Sequence, residues 1–227
     1  MIFIEKIHGK RKTTNNLKGE KKMTKAITRD MFFSVPVFHY EIEEHKEINK
    51  KLKKIILDWK EKEKGLQVSN VLGWHSDYVD SKINFAPEKI NFFTNIINDV
   101  QKNICETEEY RFELKLTNLW AMVNKKYAYN KQHSHPGCHW AGVYYVQCPP
   151  KCGSLLLKIG ETREAYPQPI YKKQGHELQQ HQFTSISVQP KEGQMIMFPS
   201  WVQHEVEPNL SDEDRISISF NLLQEVK

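Results

Sequence analysis

Arg215-Ile216-Ser217-Ile218-Ser219-Phe220-Asn221-Leu222 alternates without a break. Arg215, Ser217, Ser219 and Asn221 share one side, and Ile216, Ile218, Phe220 and Leu222 share the other. A period of two belongs to a β-strand with one apolar face, because successive side chains point to opposite sides of a sheet. Two environments suit the polar side. It meets water in an ordinary half-buried strand, or it lines a pocket in which the guanidinium grips a carboxylate through a bidentate pair. The pattern alone leaves both open.

The same period runs upstream as far as residue 110. Phe112, Leu114 and Leu116 alternate, and Trp120, Ala121, Met122 and Val123 form a denser run. Further strands are expected at Ala141–Gln147, Ser154–Ile159, Thr184–Val188, Met195–Phe198 and Val202–Val206, separated by turn chemistry at Pro136-Gly137, Pro149-Pro150, Pro190 to Gly193 and Pro208-Asn209. Many short, closely spaced strands predict a sandwich or small barrel. Residues 160–182 are polar, hold Pro167 and Pro169, and read as an insertion over the barrel mouth.

Before residue 110 the period is helical. Ile48, Leu52, Ile55, Ile56 and Trp59 recur at spacings of mostly three and four with lysines opposite, and Ile90, Phe93, Ile97, Val100 and Ile104 form a second stripe after Pro87. These two helices are expected to cover one sheet. Met31–Tyr40 reads as a first strand interrupted by Pro36, and Leu72-Gly73-Trp74-His75-Ser76-Asp77 as part of a loop. There is no internal repeat. The expected organisation is a basic, disordered leader over 1–30 and a single domain over 31–227, with helical support at 44–107 and a β core at 110–224.

Composition narrows the function classes. The chain has 227 residues and a net charge of +5, but residues 1–30 hold nine Lys or Arg against three acids, so the body is near neutral. Nucleic acid is therefore not indicated as a partner of the body. No apolar run approaches the ~20 residues that span a bilayer, and Met1-Ile2-Phe3-Ile4 stops at Glu5 without the apolar core of a signal peptide. A cytoplasmic protein with no membrane partner is expected. Met23 and Met31 are alternative starts. Cys105, Cys138, Cys148 and Cys152 lack a paired zinc spacing and read as reduced thiols.

Ten histidines remain to be sorted. His8, His39, His45, His176 and His181 stand alone and read as ordinary core or surface residues. His133 and His135 differ, because residues two apart on a strand project from one face and both imidazoles reach one ion. His139 shares their parity, but Pro136-Gly137 breaks the strand before it, leaving it a pocket-lining candidate. A third histidine from a distant strand would complete a metal-binding face, and His204 in Phe198-Pro199-Ser200-Trp201-Val202-Gln203-His204 is placed far downstream. Trp140, Tyr144 and Trp201 read as core packing before pocket wall.

The order of these motifs carries a family resemblance. His133-x-His135-Pro136-Gly137 leads into Ala141-Gly142-Val143-Tyr144-Tyr145-Val146. Gly193 to Trp201, His204 and Arg215 to Asn221 then follow, and Phe33 to Val37 and Ser69 to Trp74 precede. Over residues 31 to 223 this resembles the 2-oxoglutarate/Fe(II)-dependent oxygenases of bacteria and phages. The resemblance implies a mainly β protein with flanking helices: a double-stranded β-helix, the jelly-roll or cupin-like core, with two N-terminal helices packed on one sheet. It also implies Fe(2+), 2-oxoglutarate as co-substrate and O2. Carried over by position, His133 and His204 are iron ligands and Arg215 binds the distal carboxylate of 2-oxoglutarate; Asn124, Tyr145 and Ser217 are further co-substrate contacts. The eleven-residue step from His204 to Arg215 is read as two neighbouring strands facing one pocket.

One departure matters. Non-haem Fe(II) oxygenases commonly use two histidines and one carboxylate, and here the carboxylate's place holds His135. Leu114 to Gly160 contains no acidic residue, and Glu205 faces away from His204 on a strand. Ligation by His133, His135 and His204 is the leading reading. In a rival one His135 stays off the metal and water or halide takes its place; in another, His75-Ser76-Asp77 is the iron site. The expected reaction hydroxylates a C–H bond of a small-molecule or peptidyl substrate, such as a prolyl side chain, with release of succinate and CO2. A cupin-like metalloprotein that does not use 2-oxoglutarate, a binding module without metal, and the oligomeric state (a dimer among the options) stay open.

Overall fold

β12 (Arg215–Gln224) forms where the alternation predicts it. The structure, a computed structural model, describes residues 35–80, 90–158 and 183–224. β12 pairs antiparallel with β5 (Leu114–Asn124) on one side and β7 (Trp140–Gln147) on the other. β10 (Gln194–Pro199), β1 (Phe38–Glu41), β3 (Trp74–His75) and β4 (Val79–Asp80) complete a seven-stranded sheet. A second sheet of five runs in the order β2 (Asn70–Val71), β6 (Tyr129–His133), β11 (Gln203–Val206), β8 (Leu155–Lys158) and β9 (Ser185–Val188). Every pairing in both sheets is antiparallel.

The two faces of the large sheet part as the alternation requires. Leu119, Ala121 and Val123 of β5 and Ile216, Ile218, Phe220 and Leu222 of β12 join one buried cluster with the apolar stripes of α1 (His45–Lys60) and α2 (Asn91–Thr107). Fully burying each such Leu, Ile or Phe is worth about 1.5–3 kcal/mol, so this layer is the main source of stability. The Tyr144 hydroxyl donates to Asn49 Oδ1 at 2.6 Å and fixes α1 over β7. A smaller cluster of Ala141, Tyr145, Leu155, Leu157, Ile196, Phe198 and Val202 joins side chains of both sheets.

Several expectations shift. The first strand is only Phe38–Glu41, beyond Pro36, which lacks the N–H a ladder needs. The loop expected at 72–77 carries one short strand, Trp74-His75 on β5, just after Asn70-Val71 has paired with β6. Trp201 is not core; it stands 60% exposed in the turn before β11, whereas Trp140 and Tyr144 are buried under the helices. His204 and Arg215 do not lie on neighbouring strands. β11 and β12 belong to different sheets, and the eight residues between them, 207–214, carry the chain from one sheet to the other. The leader, Pro87 and the 160–182 insertion lie outside the described residues, as do Met31 to Ser34. No helix among the described residues is long and apolar enough to cross a membrane.

Candidate active site

A cavity of about 310 Å3 opens on the face of the large sheet away from the helices. Arg215, Ser217, Ser219 and Asn221 of β12 and Asn118, Trp120, Met122 and Asn124 of β5 line it. The polar face of the opening stretch is thus a pocket wall. From the small sheet come His133 at the end of β6, His204 on β11 and Leu155 on β8; His135 follows from the loop after β6.

His133 and His204 are direct partners across the β6–β11 ladder. His135 lies beyond the end of β6, so strand geometry alone does not aim it. Ser200 does, since its carbonyl accepts the His135 N–H at 2.9 Å and its hydroxyl donates to the Cys138 carbonyl. The result brings one ligand-capable atom of each of the three histidines within 4.8 Å of the others.

Hydrogen bonding fixes which atom each ring offers. His133 Nδ1 meets the Lys131 carbonyl at 2.7 Å, His204 Nδ1 the Val202 carbonyl at 3.0 Å, and His135 Nδ1 the Asn221 Oδ1 at 2.7 Å. Each partner oxygen can only accept, so each Nδ1 carries the proton and each Nε2 keeps its lone pair. Burial then keeps the rings neutral. It pulls His204 down to about 3, helped by the positive charge that His133 and His135 would carry, and His135 down to about 4. His133 is lowered for the same first reason. Three converging neutral imidazoles suit Fe, Zn, Cu or Ni rather than a hard oxygen-seeking cation. By this test the residues fit a non-haem iron.

No carboxylate lines the cavity among the described residues. Glu205 turns instead to the Lys158 ammonium at 3.1 Å. The rival spelling His75-Ser76-Asp77 also parts company, because His75 is buried and Asp77 is exposed. His75 does enter the pocket, where its ring stacks on Trp120 with centroids 5.5 Å apart, but it is not in the three-histidine cluster. Tyr78 closes the same aromatic wall, 5.3 Å from Trp120. His139 is exposed and accepts the Gln224 N–H, away from the pocket.

At the other end Arg215 is 2% exposed. Its Nη1 donates to the carbonyls of Cys152, Gly153 and Glu207, and no ion pair reaches it among the described residues. Burial lowers its pKa, yet an arginine stays charged in any protein setting. Tyr145 and Ser217 lie beside it as cross-strand partners on β7 and β12. Burial pushes the Tyr145 phenol upward, so its O–H stays protonated and able to donate. Asn124, opposite Arg215 on β5, donates to Asn130 at 3.2 Å and leaves a buried Oδ1 without a partner. Gly73 makes room for that oxygen, since a Cβ there would stand 2.5 Å from it. Sequence reasoning missed Asn118, Ser69, whose hydroxyl stands 3.5 Å from His133 Nε2, and the part played by Asn221. Only Asn221 left a signal, its parity with Arg215.

Residues 118–221 match the family model described as "Putative 2OG-Fe(II) oxygenase". Solved structures agree on the fold. A prolyl-4-hydroxylase from Pseudomonas putida is 13% identical with a TM-score of 0.57, covering 85% of this chain and 94% of its own. A Trichoplax adhaerens prolyl hydroxylase, solved with a hypoxia inducible factor peptide fragment, is 13% identical with a TM-score of 0.56, covering 82% and 83%. The alpha-ketoglutarate-dependent epimerase SnoN of nogalamycin biosynthesis is 13% identical with a TM-score of 0.57, covering 82% and 78%. No curated protein matches in sequence. The β core over residues 118–221 is thus similar to 2OG-Fe(II) oxygenase domains, a family that uses Fe(II), 2-oxoglutarate and O2, and the match indicates an oxidoreductase.

Proposed function

We propose that this chain is a dioxygenase with a double-stranded β-helix core, in which His133, His135 and His204 hold Fe(II) and Arg215 anchors 2-oxoglutarate. It hydroxylates a C–H bond of a peptidyl or small-molecule substrate, a prolyl side chain among the candidates. One observation carries the reading: three imidazoles that keep their Nε2 lone pairs, with only the Ser69 hydroxyl 3.5 Å from that of His133 among the described residues, share a cavity with a buried arginine that has no acidic partner there. A buried charge is tolerated when a partner arrives to offset its desolvation, and the distal carboxylate of a keto acid is such a partner.

When bound, Fe(II) with 2-oxoglutarate and O2 supplies the oxidising power, one oxygen atom ending in the hydroxylated product and the other in succinate as CO2 leaves. The chain's own residues do the positioning. The Nδ1–H donors to Lys131, Val202 and Asn221 hold each ring at a fixed angle, as outer hydrogen bonds do at metal sites. The Arg215 guanidinium takes the distal carboxylate, and the Ser217 and Tyr145 hydroxyls donate to it. Asn124 Oδ1 faces the same end with the opposite polarity, so it serves a bridging water or a substrate N–H. Val143, Leu155 and Phe198 form apolar wall that keeps solvent from the reacting atoms. With His135 in place of the usual carboxylate, three neutral imidazoles would leave a bound Fe(II) one more unit of positive charge. That strengthens its hold on a dianionic co-substrate.

The deciding experiment couples succinate release to a panel of prolyl peptides and small molecules, with the product weighed. A gain of one oxygen atom supports hydroxylation. Succinate with an isomeric or cyclised product would replace it by one of the chemistries that structural neighbours perform. His204→Ala should remove both bound iron and succinate formation, and turnover surviving that change overturns the metal assignment.

A further inference from the structure

The third histidine needs a support the other two do not. His133 and His204 are braced by carbonyls two residues upstream in their own strands or turns, at Lys131 and Val202. Those braces form whenever the strands form. His135 lies past the end of β6, and its ring is braced from the opposite sheet by the Asn221 side chain at 2.7 Å. Asn221 is itself fixed, because its Nδ2 donates to Asn118 Oδ1 at 2.9 Å. That bond settles the orientation of the amide. With Nδ2 committed to Asn118, the oxygen must face His135, and an amide oxygen only accepts. Asn118 stands directly opposite Asn221 in the β5–β12 register, and a bulge follows at Asn221/Leu222. There the Thr117 hydroxyl donates to the Asn221 carbonyl at 3.1 Å and holds the backbone too.

We infer that Asn221, locked by Asn118, is the positioning residue that makes His135 a metal ligand by fixing its tautomer and ring angle from across the pocket. The inference rests on the three-histidine reading above. It also says why an amide serves here. A carboxylate at 221 would brace the ring as well, but would add a negative charge behind the site and offset the positive charge left by the missing carboxylate ligand. An alanine would leave His135 free to turn and to carry its proton on either nitrogen.

The test uses metal-free full-length protein, stripped with a chelator and titrated with Co(II) alone by calorimetry and visible absorption. Loss of an outer hydrogen bond to a metal ligand weakens affinity by about 10–100-fold, and Asn221→Ala should do so while changing the cobalt band. Asn221→Asp, which keeps an acceptor facing Nδ1, should restore most of the affinity. Asn118→Ala, which only frees the Asn221 amide to turn, should shift binding the same way by less, and serves in place of Asn221→Ala should that variant not fold. His135→Ala is the control that separates the two ideas. If His135→Ala weakens Co(II) binding and changes the band while Asn221→Ala does neither, the positioning role is overturned and the triad stands. If His135→Ala leaves both unchanged, the triad itself falls. Asn221→Ala that lowers only thermal stability, with affinity and band intact, marks Asn221 as a structural residue and also overturns the inference.

Discussion

The two faces of β12 occupy one strand and obey opposite rules. Ile216, Ile218, Phe220 and Leu222 face the helices in the larger core, and Arg215, Ser217, Ser219 and Asn221 face the cavity. On the helix side the chain gains stability from burial with no polar group to satisfy. On the cavity side it buries a cation held, among the described residues, by neutral carbonyls alone, an arrangement that costs desolvation. The difference teaches where function was placed: on the face whose side chains lower stability in the empty state. Substitutions should therefore sort by parity, and each exception would weaken the comparison.

The largest effect on stability should come from the helix side. Phe220 is fully buried, and Phe→Ala in such a place costs about 3–5 kcal/mol. Urea unfolding should show that loss, while Co(II) affinity of the remaining folded protein stays near the parent's. If Phe220→Ala instead removes metal binding with little loss of stability, the division of labour along β12 is wrong. Arg215→Met is the matching change on the cavity side. Losing one partner of a desolvated charge pair costs about 2–5 kcal/mol, so affinity for 2-oxoglutarate should fall by about 30-fold or more. The stability of the co-substrate-free protein should hold or rise, because a buried charge without an acidic partner among the described residues has been replaced by an apolar chain. Arg215→Lys keeps the charge but not the planar fork, and should recover only part of the affinity. A destabilised Arg215→Met protein would mean that the carbonyl contacts of Arg215 are structural.

How far the sequence could carry this comparison depends on the residue. The alternation of 215–222 was legible because each face meets one environment along its whole length, and the helical stripes for the same reason. His133 and His204 were legible as chemistry, and the cluster brings them together. What spacing could not show was the sheet each strand joins, since Arg215 and His204 reach one cavity from opposite sheets. Nor could it show β2 and β3, because two residues hold no period. The aim of His135 was hidden for a third reason: it depends on Ser200 and Asn221, partners 65 and 86 positions away.

Gly142 sharpens the comparison at smaller scale, because it is a β7 residue whose missing side chain makes room on the helix side. A Cβ there would press on the Phe220 ring and the Met197 sulfur. Gly142→Ala is expected to cost about 1–3 kcal/mol as overpacking, read by thermal unfolding, with 2-oxoglutarate affinity nearly unchanged. Trimming the neighbour in Gly142→Ala/Phe220→Leu should return part of the loss, since residues in contact couple. Loss without any coupling would place the clash elsewhere.

The last effect concerns pH, and it belongs to the cavity side alone. In metal-free protein, burial first and neighbouring histidine charge second hold His204 at about 3, and burial holds His135 at about 4. In the unfolded chain both titrate near about 6.5. Between those limits the unfolded state binds protons that the folded state refuses, so acid favours unfolding. The stability tied to these rings is fully present above about pH 6.5 and is lost as pH falls toward the folded values. Each histidine that is protonated only in the unfolded state contributes a slope of up to about 1.4 kcal/mol per pH unit. Urea midpoints of chelated protein taken from pH 7.5 down to pH 5 should therefore fall, and His204→Gln should fall less steeply because one such ring is gone. Ile218→Val, on the helix side, should lower stability by about 0.5–1.5 kcal/mol and leave the slope untouched. Equal slopes for the parent and His204→Gln would mean that His204 is not held neutral by the cavity. The cavity side would then lose its claim to be the strained half of the strand.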